Sequence, residues 1–342
     1  MKRVIGKVAA LCSLILALIF STLIGVCDLS AQTSQGRDVS YYKGKLVKLM
    51  VMAEPGEQFD RWARVLAPAL RKQLPGSTVI VDNVPGGGRK IGTNKLYKAE
   101  PDGLTLGILY RASLISQVLK EDGVNYDFSK FTWLGNISAE PRYLVVAANS
   151  PYKTVADIAK DPNFKFGATG KGSFDYYDCN LLIKILSLKN AKLAVGFSSS
   201  SDVLMSILKH EVQGYMSIGD LARSLDKNDY RLIMEEAAVK GSDFPEMQNL
   251  NEIAPASAKP YLDYISGLYY IAKPVCAPPN LPADLTKILS NALEKATQDP
   301  DFLVLAKKNK FNVKYTSGKV LSGYVNKMIA NSSPELIKLM KK

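Results

Sequence analysis

From residue 46 onward, apolar and polar positions alternate in a way that reads as strands and helices taken in turn. Residues 46–52 (LVKLMVM) form a short apolar run of strand length, and Pro55-Gly56 interrupts it. Beyond the break, Phe59, Trp62, Ala63, Leu66, Ala69, Leu70 and Leu74 recur at helical spacing, while Arg61, Arg64, Arg71 and Lys72 fall mostly off that stripe. Residues 78–83 (TVIVDN) predict a second strand, 90–98 a helix closed by Pro101-Asp102-Gly103, and 104–109 a third strand. Strands separated by helices imply a parallel sheet, and the loops between strand ends and helix starts are where such sheets take ligands.

The design repeats in the middle of the chain. Strands are predicted at 143–148, 164–168, 193–197, 212–218 and 231–234, with helices at 155–160, after Ser173 and at 202–210. Residues 261–272 are apolar and aromatic and read as a crossing segment. The stretch KPVCAPPNLPADL from Lys273 reads as a proline-rich turn leading into a helix at 283–297. Helices at 300–309 and 319–329 and a short basic helix at 334–342 complete an α/β chain with two sheet sets.

Composition narrows the chemistry. The net charge is +12, of which Lys2, Arg3, Lys7 and Asp28 place +2 in the first 31 residues and leave +10 for the rest. That excess can steer an anion or simply solvate the exterior. The cations are dispersed, so no nucleic-acid partner is expected. His210 is the single histidine, which removes histidine-rich metal sites and leaves a Ser-His-Asp triad dependent on one position beside Lys209 and Glu211. Cys12, Cys27, Cys179 and Cys276 contain no C-x-x-C spacing, and no metal or cofactor is expected.

The first residues, MKRVIGKVAALCSLILALIFSTLIGVCDLSAQ, join a basic start to an apolar run of 19 residues, 8–26. Cleavage after Ala31, an uncleaved anchor and lipid attachment at Cys27 are three readings of this segment, and each places the remainder outside the cytoplasmic membrane. There Cys179 and Cys276 could pair if the fold brings them together.

The glycine run at Gly86, Gly87 and Gly88 fails both nucleotide patterns. G-x-G-x-x-G would need glycine at Ile91, and the P-loop would need lysine at Thr93. A nest for another anion and a purely structural turn both remain. Ser173 stands where it would cap its helix, and Lys171 beside it could meet an anion.

Several segments together resemble the receptors of tripartite tricarboxylate transporters, the TctC/Bug family. They are PGEQFDRWARVLAPALRKQLPG from Pro55, VIVDNVPGGGRKIGTNKLYKAEPDGLTLG from Val79, FGATGKGSFD from Phe166, ILKHEVQG from Ile207, KPVCAPPNLPADL from Lys273 and DPDFL from Asp299. The likeness is collinear over about 41–339. It implies a type II periplasmic-binding-protein fold in two lobes, 41–142 with 267–342 and 143–266, closing by hinge motion on a ligand. It further implies a monomeric, non-catalytic receptor of small carboxylates that hands them to integral-membrane transporter subunits. The family's first binding loop falls on Gly56, Glu57, Gln58, Phe59 and Asp60, and its second-lobe loop on Thr169, Gly170, Lys171, Gly172 and Ser173. Arg111 and Ser113 would face the same cleft, with Ser217 and Asp220 opposite.

Two departures bear on the ligand. Glu57 and Gln58 stand in a loop that is usually glycine-rich, and Gln213 stands where an acidic residue is common. Glu57 would repel a carboxylate unless it turns outward, with Arg111 and Lys171 available to offset it. Two other functions share these residues: a sensor that presents ligand to a membrane protein, and an esterase using Ser173 with His210 or a lysine as base.

Overall fold

Leu46–Val51 (β1) buries Val47, Leu49, Met50 and Val51 because it lies inside a sheet, paired in parallel with β2 (Thr78–Asn83) on one side and β3 (Thr105–Ile108) on the other. This is a computed structural model that describes residues 36–171, 173–237, 244 and 246–340, apart from the side chains of Ser266 and Leu339. Between β1 and β2, α1 (Gln58–Gln73) turns Trp62, Ala63, Leu66, Ala69 and Leu70 onto the sheet and leaves Arg61, Arg71 and Lys72 exposed, as its stripe predicts. The helix α2 (Lys90–Tyr97) connects β2 to β3, and α3 (Arg111–Val118) follows β3.

Three strands of this sheet were not evident from periodicity. They are β4 (Thr132–Ser138) and two that come much later in the chain, so the six-stranded order mixes early and late segments.

From β4 the chain crosses at residues 139–141 into a second assembly. There β5 (Arg142–Ala147) is followed by α4 (Val155–Lys160), β6 (Lys165–Ala168), α5 (Phe174–Ile185), β7 (Lys192–Val195), α6 (Ser200–Leu208), β8 (Tyr215–Ile218), α7 (Gly219–Ala222) and β9 (Tyr230–Glu236). The short β10 (Gln248–Asn249) runs parallel along β9, and α8 (Leu250–Ile253) leads to α9 (Lys259–Tyr269). β5 is antiparallel to both β8 and β9, β6 and β7 pair in parallel, and a parallel bridge from Phe166 to Gly214 links them to the start of β8. All strands of this assembly except β5 therefore run one way. Val145, Val203, Leu204, Ile207, Val212 and Tyr215 form a small core of their own beneath it.

The chain returns after α9, which occupies most of the stretch read as a crossing. Residues 270–273 make the passage itself. The following proline-rich stretch is not only a turn: Pro274–Ala277 is β11, antiparallel between β3 and β4. Proline is tolerated at the first position of a strand, where its missing N–H costs no ladder bond, and Pro278-Pro279 then end the pairing. After it come α10 (Ala283–Gln298), α11 (Pro300–Lys308), β12 (Val313–Ser317), α12 (Gly318–Ala330) and α13 (Pro334–Met340). β12 closes the edge antiparallel to β4. Since β4 runs with β1, β2 and β3, four strands of the first sheet share a direction and β11 and β12 oppose it. The sequence-based expectation of mostly parallel sheets holds in both assemblies.

Among the described residues no helix is long and apolar enough to cross a membrane. Residues 1–35, with the apolar run 8–26 and Cys27, lie outside the described residues. Cys179 on α5 and Cys276 on β11 are buried and free, and burial pushes both thiols up.

Candidate functional site

The loop after β1 is held by its own residues. Gly56 takes a left-handed conformation (φ 87°) that favours glycine, and its N–H donates to Asp60 Oδ2 at 2.8 Å. Asp60 is 1% exposed and also accepts from Arg64 Nε and Asn83 Nδ2, each at 2.9 Å. Burial pushes its carboxyl up, but the bonds from Arg64, Gly56 and Asn83 outweigh it and hold the group below its usual range. Asp60 thus braces the loop. Glu57 points to Arg89, 3.4 Å away, with roughly half of its side chain in solvent. Arg89 donates to Met52 O at 2.7 Å and lies 3.8 Å above the Tyr110 ring. Tyr110 in turn stacks on Phe59, their centroids 3.4 Å apart.

Deeper in, the two chain crossings bring opposite charges together. Glu140, between β4 and β5, and Lys273, just before β11, pair at 2.6 Å with each side chain 1% exposed. The Lys273 ammonium also lies 4.4 Å from the Phe59 ring and 5.8 Å from the Trp62 ring. Arg111 reaches Glu140 at 3.8 Å, donates to Leu268 O at 3.0 Å, and sits 4.4 Å over the Phe174 ring. On the same ring, at 4.7 Å, lies Arg142, which pairs with Asp178 and donates to Met216 O. Burial pushes the Glu140 carboxyl up, yet the Lys273 and Arg111 charges overcome it and hold it ionised. Burial, with the neighbouring Arg142 charge, shifts Arg111 down against the pull of Glu140. Glu236, at the end of β9, is pushed well up by burial and by the Asp178 charge.

Asp220, at the start of α7, ties the assemblies together from the other side. Its Oδ2 accepts from Gln58 Nε2 at 3.0 Å and Trp62 Nε1 at 3.3 Å, and its Oδ1 accepts from Arg223 Nη2 at 2.8 Å. The carboxyl is pushed up to about 6, chiefly by burial and then by the Glu140 charge, against the pull of Lys273 and Arg223.

Gln58, Phe59, Arg111 and Asp220 therefore belong to one network of contacts, with Gln58 on Asp220, Phe59 under Lys273 and Arg111 beside Glu140. The other expected residues are placed as follows. Ser113 is fully buried, its hydroxyl 3.3 Å from that of Thr93. Thr169 donates through its N–H and Oγ1 to Asp175 at 2.8 and 2.9 Å, so that loop is braced like the first. Ser173 accepts from Tyr176 N and donates to Gly170 O, which commits its hydroxyl to the helix cap. Lys171 is exposed, and Gly172 lies outside the described residues. Ser217 is buried and donates to Ile218 O at 3.3 Å. His210 lines a separate surface cavity with Asn149, Tyr152 and Gln213.

Trp62, Tyr110, Glu140, Arg142, Phe174 and Lys273 belong to the same cluster and were not singled out from sequence. A signal for three of them exists. In ISAEPRYLVVAA and YYIAKPVCAP, a charge stands beside proline inside an apolar run, and a charge so placed must be buried with a partner.

Known proteins agree with this architecture. A Bordetella bronchiseptica UPF0065 protein is 24% identical over 261 residues, covering 74% of this chain and 73% of its own. The crystal structure of a TctC solute binding protein from Polaromonas superposes with a TM-score of 0.68 at 16% identity, over 88% of this chain and 99% of that one. An R. palustris protein solved with adipate gives a TM-score of 0.69 at 18% identity, over 87% and 97% of the two chains. Residues 62–341 match the tripartite tricarboxylate transporter family receptor, TctC, and with its solute-binding-protein fold the chain belongs to that family.

Proposed function

We propose that this protein is an extracytoplasmic receptor that binds a small carboxylate or related polar metabolite between two lobes, 41–142 with 267–342 and 143–266, and delivers it to an integral-membrane transporter. One observation carries the reading: side chains from the first βα unit, Gln58 and Trp62, bond to Asp220 of the second assembly, while Arg111 and Arg142 share the two sides of the contact at Phe174. Side chains from both assemblies thus meet around desolvated cations, an arrangement suited to an anion. The adipate bound by an R. palustris protein of this fold supports a carboxylate. The basic start and apolar run of the first 31 residues support export. Binding rather than turnover is favoured because Ser173 is committed to its cap, away from the cavity that His210 lines.

The test is a thermal-shift screen of carboxylic acids and other small polar metabolites on the purified mature chain. A true ligand at a hundred times its dissociation constant adds about 2.7 kcal/mol of stability and raises the melting temperature. A transition that no compound moves counts against the receptor.

A further inference from the structure

The outer face of α11 is apolar and basic. Phe302 and Ala306 turn inward and are each 1% exposed, which leaves Leu303, Val304, Leu305, Lys307 and Lys308 outward. Ten large apolar side chains are exposed among the described residues, and the three that are consecutive are Leu303, Val304 and Leu305, at 43%, 67% and 41%. Lys307 and Lys308 follow Val304 by three and four positions and so flank it on the helix surface. From Phe302 to Pro334 the chain holds no acidic residue and six lysines. The acids at the start of α11, Asp299 and Asp301, lie at the other end of the helix and bond to Lys72 at 2.9 and 2.6 Å. We propose that this face of α11 rests on an anionic lipid surface, with Val304 and its apolar neighbours at the headgroup boundary and Lys307, Lys308 and Lys310 on the phosphates.

The chemistry and the path of the chain both favour a bilayer. Lysine stems lie along apolar surface while their ammonium groups reach outward, the pattern of helices that lie in a membrane interface. The helices packed on α11 bring Arg71 and Lys72 (α1) and Glu294 and Lys295 (α10) as exposed charges in their closing turns, so one acid stands among three cations there. The chain also enters the fold at this end. Gly44 N donates to Gly76 O at 2.8 Å, in the turn that closes α1 four residues after Lys72. Where the apolar run 8–26 stays in a membrane, residues 27–38 span at most about 40 Å even fully extended, which keeps α11 within reach of that membrane.

The experiment is co-sedimentation of the mature chain, whose residues 38–342 form one compact unit, with vesicles of phosphatidylglycerol and phosphatidylcholine in equal parts, and with vesicles of phosphatidylcholine alone. The mixed vesicles should bind it about tenfold or more tighter, and high salt should weaken that binding. Lys307→Gln with Lys308→Gln should lower the binding by about twentyfold, and Val304→Ser by about fivefold. All three positions are exposed, so the fold should survive these changes. Met205→Ser removes an equally exposed apolar side chain from α6 and should change nothing. Equal binding to both vesicles, or binding unaffected by either the lysine or the Val304 change, overturns the proposal. So does a chain that binds neither vesicle, the outcome for a face built to meet an acidic protein. None of these results bears on the ligand screen that tests the receptor.

Discussion

The Lys273 ammonium and the Glu140 carboxylate, 2.6 Å apart and almost sealed from solvent, join the two passages by which the chain moves between its sheet assemblies. Two buried charges repay their desolvation only together, so removing one leaves the other stranded. Lys273→Met should lose about 3–5 kcal/mol of stability in urea denaturation, and Glu140→Leu a similar amount. The double variant should recover most of that loss, because it removes both charges at once. Losses that simply add in the double variant would show that the two groups are not coupled.

Asp220 predicts a pH dependence of the opposite sign to that of most carboxylates. Its value in the folded chain, about 6, lies above the ordinary 3.8, so the folded state holds this proton more tightly than the unfolded chain does. Its contribution is fully present below about pH 4 and is lost as pH rises through about 6. Asp220→Asn lacks the titration. The stability of that variant relative to wild type should therefore grow by roughly 2–3 kcal/mol between about pH 4 and 7. Parallel stability curves over that range would contradict the shift.

Much of the first βα unit was readable because one face of α1 must meet β1. Phe59, Trp62 and Leu66 at helical spacing state that requirement, and Pro55-Gly56 marks the loop between them. β11 was not readable: four residues, one of them proline, become a strand only because β3 and β4 flank them, and neither neighbour is close in sequence. The site divides the same way. Gln58, Arg111 and Asp220 sit in the first turns of helices that follow strands, the end at which an α/β sheet takes ligands. Glu140 and Lys273 meet across 133 positions of chain, a distance no local pattern spans.

Asp60 separates bracing from binding within one loop. Its carboxylate satisfies the Gly56 N–H, Arg64 and Asn83, and alanine would leave the half-buried Asn83 amide and the loop N–H without that acceptor. Asp60→Ala should cost about 2–4 kcal/mol, read from chemical denaturation. Lys171→Ala, at an exposed position of the loop after β6, should stay within about 0.5 kcal/mol of wild type. Equal effects would mean that the first loop does not depend on its carboxylate.

Arg111 carries the sharpest prediction for binding. It begins α3 at the end of β3, donates to Leu268 O, faces Glu140 and covers Phe174 of the other assembly. Its guanidinium is desolvated, and a ligand carboxylate that approaches it finds a cation less weakened by water than one at the surface. Arg111→Ala should weaken the carboxylate found in the screen by about tenfold or more in calorimetry. Arg111→Lys keeps the charge but loses the planar fork, and should fall between the two. A melting curve for each variant shows whether the fold survives the change. An affinity that is the same for wild type and a folded Arg111→Ala removes Arg111 from the site, and leaves Lys273, Arg142 and Arg223 as the cations of the cluster still to be tested.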